Sequence, residues 1–194
     1  MIAIGQVLHE EKEVSLVSPG VIESALSEEE INRIQEITNK IELIDATVDG
    51  EYNPEVRSCR GGWVDYNDDT AWLYGRLYDL VKVANDEMWQ FDPIDMVEHI
   101  MYCEYQEGDH YDWHVDMASP PPFSGRKIAV SIQLSSSDDY RGGNLYFMAG
   151  GIHTVPRAQG SFIAYPTYIP HMVEKVTAGT RKSLVFWVGG TPFK

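Results

Sequence analysis

Cysteine is nearly absent: Cys59 and Cys103 are the two in 194 residues, too far apart in sequence to suggest a disulfide framework or a zinc knuckle. A reducing cytoplasm is the compartment that this usage fits. Basic residues are scarce too, with 15 lysines and arginines against 30 acidic residues and a formal charge of -15. That balance repels a phosphate backbone and an anionic membrane surface, so neither nucleic acid nor membrane is an expected partner. No apolar run approaches the roughly 18 to 20 residues needed to cross a bilayer, and no repeat of about 20 to 50 residues is evident. Met1 to Leu8 is too short for the apolar core of a secretory leader and lacks a basic flank, so no signal peptide is expected. The length suits a single domain, 1–194, that buries its core without cross-links. Nothing in it specifies an oligomeric state.

Two segments have helical periodicity. Ser27 precedes three glutamates and can pair with Glu30 in a capping box, which predicts a helix from there to about Lys40. Its Ile31, Ile34, Ile37 and Ile41 make a stripe for packing against a sheet. A second helix is predicted from about Asp69 to Met88, with Trp72, Leu73, Leu77, Leu80, Val81 and Ala84 on its buried face. Both read as scaffold, so residues of about 22–95 form a helical support.

From Met96 onward the pattern changes to short apolar or alternating segments bounded by glycine, proline and aspartate. Strands are predicted at Val97 to Tyr105, Tyr111 to Asp116, Lys127 to Leu134, Asn144 to Met148, His153 to Val155, Ser161 to Tyr165, His171 to Val176 and Arg181 to Val188. About eight strands suggest a mainly β, α+β fold: a double-stranded β-helix, or jelly roll, over about 96–190 with the helices packed outside. Thr177-Ala178-Gly179-Thr180 is expected to close a hairpin between the strands starting at His171 and Arg181.

His114 and Asp116 stand two apart, and His171 and Arg181 follow fifty-five and sixty-five residues beyond the aspartate. A strand turns alternate residues to one face, so His-x-Asp can offer an imidazole and a carboxylate to one ion, and a second strand can bring His171 alongside. Two imidazoles and one carboxylate with open positions are the ligand set of non-haem Fe(II) oxygenases. In the last strand Arg181, Ser183, Val185 and Trp187 share one face. If that face looks inward, the guanidinium is buried, and a carboxylate ligand explains it most economically. His9, His99 and His153 lack partners at ligand spacing, and His110, in a Gly-Asp turn just before the motif, is expected to face solvent. Trp63, Tyr66, Tyr111 and Trp113 are expected mainly in core packing, and Cys103 as a small buried hydrophobe.

These residues resemble the 2-oxoglutarate and Fe(II)-dependent dioxygenases of the prolyl 4-hydroxylase type. The resemblance rests on Tyr105-x-x-Gly108-x-x-Tyr111-x-x-His114-x-Asp116, on Tyr140-Arg141-Gly142-Gly143-Asn144-Leu145, on Gly160 to Pro166 before His171, and on Arg181-x-Ser183-x-x-x-Trp187. It covers about Met96 to Gly190 and reaches back more faintly to Val56 to Trp63. Asn144 departs from it, standing where relatives commonly place glutamate, as does the run Pro120 to Pro122.

The resemblance implies that His114, Asp116 and His171 bind Fe(II), and that Arg181 pairs with the distal carboxylate of 2-oxoglutarate. Tyr105 would donate a hydrogen bond to that cosubstrate, Ser183 would line the same end, and Gln133 is a further candidate where the family often has an aromatic residue. It also implies oxidative decarboxylation to succinate and CO2 with O2, with ascorbate as a supporting reductant. Asp116 favours hydroxylation over halogenation, since a chloride-transferring relative would lack that carboxylate. A prolyl residue in a peptide or protein is the first expected substrate, and a free amino acid or small metabolite the second. The competing reading is a non-catalytic jelly-roll module that binds a metal or small acid. Nucleic-acid demethylation conflicts with the acidic charge. Segments Arg57 to Asp68 and Ala118 to Gly125 are expected to frame the substrate entrance.

Overall fold

The protein is described by a computed structural model covering residues 16–48, 50–119 and 123–191. Met1 to Leu8, His9 and Pro120 to Pro122 lie outside the described residues.

Helix α1, Glu28–Thr38, begins with the expected capping box: the Glu30 N–H donates to Ser27 Oγ at 3.2 Å and the Ser27 N–H to Glu30 Oε2 at 2.7 Å. Its Ile31 and Ile34 are buried, with Ile37 and Ile41 packed at the margin of the same core. Helix α2, Ala71–Met88, buries Leu73, Leu77, Leu80, Val81 and Ala84. Trp72, expected on that face, is only partly buried; the Arg33 guanidinium of α1 covers its ring at 4.1 Å.

The larger sheet has eight strands. Their order is Gly20–Ile22, Phe162–Pro166, Arg126–Gln133, Arg181–Gly190, Ile100–Tyr105, Arg60–Val64 and Ile44–Asp45, with Pro93–Met96 also pairing the Arg181 strand. A smaller sheet runs Ile152–Thr154, Leu145–Met148, His171–Val173, His110–His114 and Arg57–Ser58. Every pairing is antiparallel. This is the jelly roll, with both helices outside it.

Strand alternation divides the core in two. Ile128, Val130, Ile132, Leu184, Phe186 and Val188 face the helices, and each such large side chain removed from water stabilises the fold by about 1.5–3 kcal/mol. Residues one position away, including Cys103, Tyr105, Ala129 and Trp187, face the smaller sheet and meet Leu145, Phe147 and Val173.

Three expectations change. Fifteen strands occur among the described residues rather than about eight, because several contain only two to four residues. The 22–95 region is therefore not purely helical support, since Arg60–Val64 extends the larger sheet beside Ile100–Tyr105. The hairpin through Thr177 to Thr180 does not form. Val176–Gly179 pairs with Tyr140–Gly142, while His171–Val173 and Arg181–Gly190 lie in different sheets. Gly179 does adopt φ +75°, where a Cβ would run into the Asp139 carbonyl, but the turn carries the chain from one sheet to the other. That crossing places His171 and Arg181 on facing walls.

Candidate active site

His114 and His171 are direct cross-strand partners in the smaller sheet. Asp116 follows just past the strand end, where the N–H groups of Asp116 and Met117 both donate to the Thr167 carbonyl, at 2.9 and 3.2 Å. Donor atoms of the three side chains all lie within 4.8 Å of one another. His171 Nε2 is 3.5 Å from Asp116 Oδ2, and His114 Nε2 is 3.9 Å from Asp116 Oδ1.

Both imidazoles are oriented from behind. His114 Nδ1 lies 2.8 Å from the Asp112 carbonyl and His171 Nδ1 3.0 Å from the Ile169 carbonyl. A carbonyl can only accept, so the proton sits on Nδ1 and the Nε2 lone pair faces the cluster. Burial pulls the His114 pKa down to about 3, and His171 beside it acts in the same direction. The ring is then neutral at physiological pH and needs no deprotonation to bind a cation. Two imidazoles with one carboxylate suit Fe(II).

Tyr165 lies against the same cluster. Its hydroxyl is 3.1 Å from His171 Nε2 and donates to Asp116 Oδ2 at 3.5 Å, and its burial, with Asp116 nearby, raises its pKa well above the usual tyrosine value. Arg126 holds the aspartate's main chain, donating from Nη1 to the Asp116 carbonyl at 3.0 Å. It is itself fixed by a two-pronged pair with Glu98, at 2.6 Å on each arm.

Across the cavity, Arg181 is 1% exposed. Its Nη1 donates to Ser183 Oγ at 3.2 Å, while Nε and Nη2 have no hydrogen-bond partner among the described residues. Leaving a buried guanidinium this incomplete is costly, and a carboxylate would supply the missing acceptors. Tyr105 is the cross-strand partner of Arg181 and its ring lies 5.4 Å from the guanidinium carbon. Gly143 helps to place this arginine: at φ +62° it has no Cβ, and one would stand 3.2 Å from Arg181 Cδ.

A cavity of about 880 Å³ joins these groups and is lined by His114, Asp116, His171, Tyr105, Arg181 and Ser183. Val185 and Trp187 line it too, so the inward face of the last strand is the one expected. Gln133 does not line it. That side chain lies opposite Ser183, 1% exposed with Oε1 unpartnered, while Tyr105, Arg181 and Ser183 reach the cavity at this end. Arg57, Gly61 and Trp63 come from one expected framing segment, and Ala118, Ser119 and Phe123 from the other.

Trp63 and Tyr66 are not core residues, being 46% and 64% exposed. Tyr111 stacks on His114 with ring centroids 3.5 Å apart. His99, His110 and His153 stay outside the cluster; His99 accepts from the Tyr66 N–H, and the other two contact backbone carbonyls. Arg57, Arg126 and Tyr165 escaped the sequence reading. Tyr165 carried a signal, standing six residues before His171 in a strand-like run.

Residues 100–189 match the profile of the 2OG-Fe(II) oxygenase superfamily. A PKHD-type hydroxylase from Acaryochloris marina is 41% identical over 96 residues, covering 47% of this chain and 42% of that protein. Another, from Aliarcobacter butzleri, is 26% identical over 176 residues, covering 86% and 76%. The chain thus spans less than half the length of the Acaryochloris relative. A prolyl-4-hydroxylase from Pseudomonas putida superposes with a TM-score of 0.70 at 18% identity, covering 88% of this chain and 92% of that one. A prolyl hydroxylase from Trichoplax adhaerens, solved with a hypoxia inducible factor peptide fragment, gives 0.74 at 16% identity, covering 89% and 83%. The fold is therefore shared with both, and residues 100–189 carry the signature of the 2OG-Fe(II) oxygenase superfamily.

Proposed function

We propose that this chain is an Fe(II)- and 2-oxoglutarate-dependent dioxygenase that hydroxylates prolyl residues in a peptide or protein. One observation carries the reading: a His-Asp-His cluster and a buried, partly unsatisfied guanidinium face each other across a single cavity. His114, Asp116 and His171 would hold the metal. Arg181 and Ser183 would take the far carboxylate of 2-oxoglutarate, with Tyr105 walling that end. The bound iron and cosubstrate supply oxidative decarboxylation to succinate and CO2, with O2 as oxidant and one oxygen atom delivered to a substrate carbon.

The chain's own residues do the remaining work. Arg181 fixes the cosubstrate in one orientation, because a guanidinium fork binds a carboxylate through two parallel hydrogen bonds. Tyr165 holds the carboxylate of Asp116. Leu145, Val173 and Trp187 give the cavity an apolar wall, while the exposed Ile44, Trp63 and Val115 give its mouth an apolar rim suited to a pyrrolidine ring. The relatives' description as PKHD-type hydroxylases supports the prolyl substrate. A reducing cytoplasm would keep Cys59 and Cys103 as thiols, and no described helix is long and apolar enough to cross a membrane.

Purified protein given Fe(II), ascorbate and carboxyl-labelled 2-oxoglutarate should release CO2 slowly alone and faster with prolyl peptides, which should gain one oxygen by mass spectrometry. His114→Ala should abolish both. Binding of metal and 2-oxoglutarate with no CO2 release would instead establish a non-catalytic binding module, and oxygen gained by free amino acids but not peptides would establish a small-metabolite hydroxylase.

A further inference from the structure

A second guanidinium reaches the cavity. Arg57 stands opposite Tyr111 in the smaller sheet, with its guanidinium carbon 4.7 Å from that ring, and Tyr111 in turn stacks on His114. Arg126, the other arginine near the metal cluster, is matched by Glu98. Arg57 has no carboxylate partner among the described residues. Its Nε donates to Cys59 Sγ at 3.3 Å, Nη2 reaches Met101 Sδ and Cys103 Sγ at 3.7 Å each, and Nη1 reaches the Thr47 carbonyl at 3.4 Å.

Sulfur is a weak acceptor, so three of these four contacts give back little of what a guanidinium loses on leaving water. Arg57 differs from the cosubstrate anchor in position and partners: it lies in the smaller sheet over Tyr111, whereas Arg181 lies in the larger sheet and donates to Ser183.

Charge in the working site points the same way. A divalent cation and Arg181 balance Asp116 and the two carboxylates of 2-oxoglutarate, and Glu98 balances Arg126. Asp45 lies exposed at the mouth, where water screens it. Arg57 is the cavity-lining charge left without a carboxylate, and it lies against the Tyr111 ring that stacks on His114.

We infer that Arg57 is a subsite for a carboxylate of the substrate, so that the group hydroxylated lies close to an α-carboxylate, either the C-terminus of a peptide or that of a free amino acid. This rests on the oxygenase reading above and narrows its substrate class. An internal prolyl residue without a nearby acid leaves Arg57 unmatched. The overall negative charge slows the approach of such substrates but does not alter the sign of the potential at the inner wall.

The test uses the full chain loaded with Zn(II) and 2-oxoglutarate, which binds without turning over. Calorimetric titrations would compare N-acetyl-L-proline with its primary amide, free L-proline with L-prolinamide, and Gly-Pro with a peptide blocked at both ends around an internal proline. Each acid should bind at least about tenfold more tightly than its neutral counterpart, the worth of a charge-assisted hydrogen bond. Arg57→Met should erase that preference, Arg57→Lys should keep part of it, and 2-oxoglutarate affinity should stay within about threefold of wild type in both. Which acid binds best separates a peptide C-terminus from a free amino acid. Equal binding of acids and amides, binding of none of the acids, or tightest binding of the internal-proline peptide would overturn the subsite. So would a loss of 2-oxoglutarate affinity in Arg57→Met as large as in Arg181→Met. Uncoupled CO2 release from the iron-loaded protein tests the underlying reading separately: its absence, with the acid preference intact, would fault the oxygenase assignment and leave the subsite standing.

Discussion

Replacing Arg181 with methionine should have opposite effects on ligand affinity and on the ligand-free fold. The guanidinium is 1% exposed and spends one bond on Ser183, leaving Nε and Nη2 for a ligand. Two hydrogen bonds to a charged group, at about 1.5–3 kcal/mol each, sum to roughly 3–6 kcal/mol. That corresponds to a loss of about 10² to 10⁴ in affinity for 2-oxoglutarate. In the ligand-free protein the same change removes a buried charge that lacks an anion and substitutes an apolar side chain of similar length. Stability should therefore hold or rise, as when buried ionic groups are exchanged for well-packed hydrophobes. Calorimetry on the Zn(II)-loaded protein gives the affinity, and thermal unfolding without ligand gives the stability. 2-Oxopentanoate, which lacks the distal carboxylate, closes the cycle: wild type should bind it about as weakly as Arg181→Met binds 2-oxoglutarate, and the variant should scarcely distinguish the two acids. A variant that binds 2-oxoglutarate within threefold of wild type, or that unfolds several degrees lower, would refute the assignment of Arg181 as a ligand anchor.

Further outcomes follow from the same geometry. In the metal-free protein the His114 pKa is held down to about 3 by burial and by His171, whereas an unfolded histidine titrates near 6.5. Between those values the unfolded chain binds more protons, so stability should fall as pH drops through that window; His114→Gln should flatten the dependence of melting temperature on pH, and an unchanged slope would contradict the burial argument. Tyr165→Phe removes the hydroxyl at Asp116 and His171 while keeping the ring packed against Phe147, so metal affinity measured by chelator competition should drop by about tenfold or more with little change in melting temperature. Gly143→Ala places a Cβ at φ +62° beside Arg181 and Tyr140; it should destabilise by about 1–2 kcal/mol and weaken 2-oxoglutarate binding, which Asn144→Ala, away from Arg181, should leave intact.

The parts legible in the sequence were those that depend on local period. Alternation in the strand from Arg181 placed Arg181, Ser183, Val185 and Trp187 on one face, and the cavity confirms the inward direction. The α1 capping box is a motif of four consecutive residues, whereas Asp116 joins His114 from just past the strand end, where the Thr167 carbonyl holds its backbone. What escaped depends on partners distant in the chain. Arg57 was expected only within a segment framing the entrance, and its contacts with Tyr111 and Cys103 appear once the chain is folded, while Arg126 gains its role from Glu98 and the Asp116 carbonyl. The turn at Gly179 shows the limit well: its left-handed backbone was foreseeable from residue type, yet local chemistry does not say whether a turn closes a hairpin or carries the chain between sheets. Arg60–Val64 was missed because Arg-Gly-Gly-Trp lacks the β-branched run that marks a strand, and Trp63 looked like core because aromatic residues usually are.

Crystals grown with Mn(II) in place of iron and with 2-oxoglutarate, without oxygen, offer the most direct measurement. Anomalous scattering should place one ion bonded to Nε2 of His114, a carboxylate oxygen of Asp116 and Nε2 of His171, with the far carboxylate of the organic acid on Nε and Nη2 of Arg181. An ion bound elsewhere, or an acid whose far end avoids Arg181, would contradict the account.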